Sequence, residues 1–223
     1  MIIGGPALTK YNDRTLRNLT TAPASAGGSP GALVHIKTIT ASSDATISFV
    51  HGSSDVVLDN TYPIYKFEII NVHPSTDNRD FDFNVSIDTG SNYNVAKTTV
   101  YHYAYNNESN GVDSSASAGT EYISGNDLAN GTGFQEIMEN VGGDNDQAGT
   151  GEMWLFNPSS TTFVKHFMLK TISASAGNYS KNAYLAGYAN TTSAVDAVQF
   201  KFNGSASADI ATGKIKLYGI KDS

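Results

Sequence analysis

Asp88-Thr89-Gly90-Ser91 is the first stretch of this chain whose residue types could do chemistry. An Asp-Thr-Gly-Ser tetrapeptide surrounds the carboxylates of aspartic proteases, where two carboxyl groups share one proton and activate water. A second Asp-Thr-Gly is absent, so that chemistry would need a homodimer. A strand ending in a turn accounts for the same four residues, because Asp, Gly and Ser favour tight turns. Asp144-Asn145-Asp146 begins like a calcium loop, but its fifth position is Ala148 and the position for a bidentate Glu falls on Leu155. His35, His51, His73, His102 and His166 show no i, i+2 or i, i+4 spacing, so no local metal motif exists. The three that fall within strands, His35, His102 and His166, are expected to be half-buried. Gly-x-Ser-x-Gly and phosphate-binding glycine loops are both missing. These observations name no catalytic residue, no metal ligand and no cofactor, and the chain reads as a non-enzyme.

Aromatic residues offer a different chemistry. Tyr101, Tyr103 and Tyr105 alternate with Val100 and His102, and Trp154 lies elsewhere in the chain. Aromatic rings on a sheet face can stack on sugars or pack at a subunit interface; the alternative is cross-strand packing in a core.

The elements that must position these residues are strands. The chain has 223 residues, of which only 16% are charged, and no cysteine. It therefore has no disulfide framework and no thiolate chemistry. Ten runs read as strands: 33–39, 45–50, 62–72, 81–87, 97–105, 151–156, 162–172, 183–188, 197–202 and 208–218. Phe81 to Ile87 alternates strictly, as a half-buried strand does. In Tyr62 to Val72, Tyr65, Phe67 and Ile69 share one face. The single helix expected is Gly133 to Val141, where Phe134, Ile137, Met138 and Val141 share a face. It lies within Asn106 to Gly149, which otherwise reads as one long Gly/Ser/Asn/Asp loop. The fold class that follows is all-β, an antiparallel β-sandwich of jelly-roll type over residues 32–223.

Residues 1–31 are rich in Gly, Ala, Ser and Pro and read as an extended N-terminal arm. Ile2, Ile3 and Leu8 supply small apolar anchors, and Lys10, Arg14 and Arg17 supply charge. Residues 1–30 carry a net charge of +2, and residues 31–223 carry −9. So acidic a body argues against nucleic-acid binding. There is no apolar run long enough for a signal peptide or a membrane span, so no membrane role is expected.

Several stretches resemble the virion structural proteins of marine phages, of the cyanophage and pelagiphage type. They are 34–50, 53–59, 70–77 (Ile70-Asn71-Val72-His73-Pro74-Ser75-Thr76-Asp77), 88–95, 156–162 (Phe156-Asn157-Pro158-Ser159-Ser160-Thr161-Thr162) and 214–220. The likeness extends over most of 33–220 and leaves out the arm. It implies a virion-surface role, as a capsid decoration or cement subunit, a head fibre or a tail fibre. It carries over no functional residue.

The expectation is an exterior virion subunit made in the host cytoplasm, with the arm docked on a neighbour such as the major capsid protein. A homotrimer is expected by analogy with accessories on threefold sites. The alternative is a tail-fibre or receptor-binding carbohydrate-binding module that binds host-surface glycan through tyrosines near the 106–149 segment.

Overall fold

The computed structural model describes residues 33–108, 118–203 and 208–222. The arm, with Ile2, Ile3, Leu8, Lys10, Arg14 and Arg17, lies outside the described residues, as do 109–117. Thirteen strands build two antiparallel sheets, and no helix occurs among the described residues.

The short sheet has the order β2 (Ile47–Val50), β12 (Ala197–Phe202), β4 (Arg79–Ser86), β8 (Gln135–Val141). The long sheet begins at the edge with β1 (Leu33–Thr40), followed by β13 (Ile210–Ile220), β3 (Ile64–Pro74) and β9 (Gly149–Phe156). It continues through β10 (Lys165–Ala174), β11 (Tyr179–Ala189) and β5 (Lys97–Asn107) to β6 (Ala118–Tyr122), and β7 (Ala129–Gly131) also pairs with β5.

Eight of these strands wind as a jelly roll. The innermost pair is β4 with β8, and around it wrap β3 with β9, β2 with β12 and β1 with β13. Successive pairs alternate between the sheets, which is the double Greek key of that architecture. The other five strands are insertions. β5, β6 and β7 enter between β4 and β8, and β10 and β11 between β9 and β12. All except β7 extend the path of the long sheet past β9, well beyond the four strands opposite.

Period-two patterning explains the layers. Phe81, Phe83 and Val85 of β4 face inward, as do Phe200 and Phe202 of β12, Tyr65, Phe67 and Ile69 of β3, and Phe167 and Leu169 of β10. Edge-on aromatic contacts cross between the sheets: Phe49 to Phe67 at 5.3 Å, Phe67 to Phe200 at 5.5 Å and Phe83 to Phe167 at 5.1 Å. Offset and edge-on geometry suits the ring quadrupoles, and each buried ring removes a large apolar area from water.

All ten expected strands are present, nine with shifted ends and 197–202 with the bounds of β12. Two expectations fail. The helix over Gly133 to Val141 is strand β8. Its pairing with β4 slips between Arg79 and Phe81 and again between Phe81 and Asp82. Those bulges bury Ile137 and Met138 in succession, so the apolar spacing looks helical while the backbone stays extended. Asn140, at φ 53°, takes the left-handed conformation that Asn tolerates. The segment 106–149 is also not one loop, since it contains β6, β7 and β8.

Candidate functional site

Four places hold the residues that could act. The first is the turn after β4. Asp88 Oδ1 accepts hydrogen bonds from Ser86 Oγ at 2.6 Å and from the Asn92 backbone N–H at 2.9 Å. Asn92 Nδ2 donates to Asp88 Oδ2 at 2.7 Å. Chiefly the Ser86 and Asn92 donors hold the Asp88 carboxyl down, to about 2. Asp196 accepts the Thr89 N–H at 3.0 Å and pins the turn to the strand beyond it. The carboxylate of this tetrapeptide is thus committed to its own turn.

Asp144 caps a second turn, with the Gln147 N–H donating to its carbonyl at 2.9 Å. Among the described residues no three His, Cys, Asp or Glu side chains are placed to hold a metal ion. His35, His102 and His166 are exposed rather than half-buried. They face outward on the long sheet beside Tyr218, Tyr184 and Tyr188.

The tyrosine ladder of β5 points inward, and Trp154 sits on the opposite, outer face of the long sheet. Tyr101 and Tyr103 are buried, at 1% and 7% exposure, and cannot present a ring face to a ligand. Tyr105 is partly open, at the end of the ladder, and meets Tyr179 edge-on at 5.8 Å. These two rings and Tyr103 line a cleft of about 540 Å³ with Glu121, Asn140 and Lys181. Lys181 Nζ lies 5.1 Å from the centre of the Tyr103 ring and pairs with Glu139 at 2.5 Å. Burial first, then Glu139 and Glu121, push the Tyr103 hydroxyl up, so it stays protonated and can donate. Glu121 raises Tyr105 in the same sense, mainly through a hydrogen bond. Aromatic walls with carboxylate, amide and ammonium groups around them suit a neutral polyhydroxylated ligand.

The fourth place, absent from the sequence reading, is the outer face of β9, β10, β11 and β5. Trp154, Met168, Ala186 and Val100 are successive cross-strand partners there. The next row holds Glu152, Lys170, Tyr184, His102 and Tyr122. The available signal was β10 itself. His166, Met168, Lys170 and Ile172 alternate with buried Phe167, Leu169 and Thr171, so two of four outward positions are apolar where water-facing residues belong.

No family model, curated protein or solved structure matches this chain.

Proposed function

We propose that this protein is a bacteriophage virion structural protein. Its place is the exterior of the particle, as an accessory subunit of the decoration, cement or head-fibre kind, held by residues 1–31. The observation that carries this reading is the winding of the eight core strands. The jelly roll recurs in viral capsid and lectin domains, where a closed double sheet supplies a rigid block that tiles against neighbours. The insertions widen one sheet of that block and leave its chain entry, Leu33, at the sheet edge. An arm that enters at an edge strand is free to reach an adjacent subunit. In this reading Ile2, Ile3 and Leu8 fill apolar holes on the major capsid protein, while Lys10, Arg14 and Arg17 meet its acidic groups.

Mass spectrometry and a density map of purified particles test the reading. Many symmetric copies with residues 1–31 against the shell support it. Absence from the particle contradicts it.

A second reading, a receptor-binding carbohydrate module of a tail fibre, is favoured by the cleft of Tyr105, Tyr179 and Glu121. Its test is a glycan array with the whole chain. Binding that disappears in Tyr105→Ala supports it, and binding that survives that change sinks it.

A further inference from the structure

Five of the eight large, exposed apolar side chains of the described residues lie together on the outer face of β5, β6, β10 and β11: Val100, Tyr122, Met168, Ile172 and Tyr184. Val100, Met168 and Ile172 are 55%, 50% and 50% exposed, at outward positions where the alternation of an antiparallel sheet puts polar residues. The face is built largely on the inserted strands, outside the eight that make the jelly roll.

A cation or a ring already lies against two of its rings, Trp154 and Tyr184, while Tyr122 stays open at 63% exposure. Lys66 Nζ lies 5.2 Å from the Trp154 ring centre, and Lys170 Nζ 5.5 Å from that of Tyr184. His102 stacks on Tyr184 at 5.4 Å with an interplanar angle of 12°. What remains for a partner is the Tyr122 ring at one edge, the edges of the other rings, methyl groups and two shallow hollows, of about 330 and 480 Å³, on either side of Lys170. That relief suits a flat protein surface better than a stacked sugar.

Charge and size then choose the partner. On the outer face from β3 to β6, Lys66 and Lys170 are balanced by Glu68 and Glu152, and Lys66 bridges both acids at 3.3 and 2.9 Å. Strands balanced in this way, with Asp127 against Tyr122 and Glu108 beside Ile172 as the acids at their margin, let two copies of a chain of net charge −7 approach with little repulsion. The face also carries both signs, so Lys170 of one copy can meet Glu152 of another. Six strands at about 4.8 Å spacing and roughly 27 Å of length give a face of roughly 800 Å², about what each partner contributes to a standard interface.

We propose that this face joins two copies of the chain, sheet on sheet, about a twofold axis. A patch that meets itself is isologous and closes at two. The contact belongs to the β-sandwich and does not depend on the virion reading.

Sedimentation velocity on the full chain tests it, up to about 100 µM, beside the double variant Val100→Glu, Met168→Glu. The expected result is a species of twice the 23.6 kDa chain mass. The double variant becomes monomeric, with its dissociation constant raised at least about 100-fold. Both positions are exposed, so its circular dichroism and melting point should match the parent's; Ile172→Glu serves as a second variant with the same expectation. A monomer at every concentration, a trimer, or a dimer that survives these changes with the fold intact would each overturn the proposal.

Discussion

Asp82 and Glu136 face each other as direct partners across β4 and β8. Asp82 is 5% exposed and its Oδ1 is buried without a hydrogen-bond partner, while Glu136 accepts a bond from Asn126 Nδ2 at 2.8 Å. Asp80 and Glu139 add like charge nearby; Lys201 opposes it at Asp82 and Lys181 at Glu136. Burial above all, then the neighbouring acids, push Asp82 up to about 8 and Glu136 up to about 9.

The pair therefore stabilises the fold while protonated. An unfolded Asp or Glu releases its proton near pH 4, so the contribution is complete below that and is lost as pH rises towards 8 to 9. Urea unfolding should show stability falling by at least about 2 kcal/mol between pH 5 and 7. Asp82→Asn should flatten that slope. An unchanged slope in the variant would mean that the pair is not its source.

Lys97 has the opposite sign. It is fully buried on β5 and donates to Asn84 Oδ1 at 2.5 Å and to the Val95 carbonyl at 3.0 Å. Burial brings its ammonium down to about 7. The unfolded chain then binds the extra proton between about pH 7 and 10, so this group makes stability rise with pH in that window. Lys97→Met keeps the volume and removes the charge. Against the loss from the carboxyl pair, which both proteins share, stability should fall further in that variant than in the parent between pH 7 and 10, while at pH 7 the two should differ by less than about 2 kcal/mol. Melting curves at pH 7 and 10 decide it.

Gly213 sits at φ 122° where β13 slips against β3. A Cβ there would lie 2.6 Å from the Asn71 carbonyl oxygen and 2.7 Å from Val72 Cα, both backbone atoms. Gly213→Ala should cost about 2 kcal/mol or more and lower the melting point by roughly 4–8 °C. A variant that melts with the parent would contradict this geometry.

The strands of the jelly roll were legible where apolar and polar residues alternate, even in β4, whose polar set is buried as well. Phe81, Phe83 and Val85 alternate with Asp82 and Asn84, and the fold keeps that order. β8 was illegible because its bulges bury Ile137 beside Met138 and imitate a helical stripe. β6 and β7 were illegible because they are short and none of their side chains is buried, so no apolar alternation marks them. The tyrosine ladder was recognised as alternating, but alternation does not say which set faces the core. Pairing with β11 and closure over β8 turn Tyr101 and Tyr103 inward and leave Val100 and His102 in solvent. Strand order, and with it the outer face, depends on contacts far apart in sequence, such as Met168 with Trp154 and Ala186 with Val100.

The most direct measurement compares particle occupancy of the full chain with that of a chain lacking residues 1–30, by density maps of purified virions. The account predicts near-full occupancy for the first and almost none for the second, although the shortened chain keeps its melting point. Full occupancy without the arm, or no occupancy with it, would contradict the claim that this is a virion subunit held by its N-terminal arm.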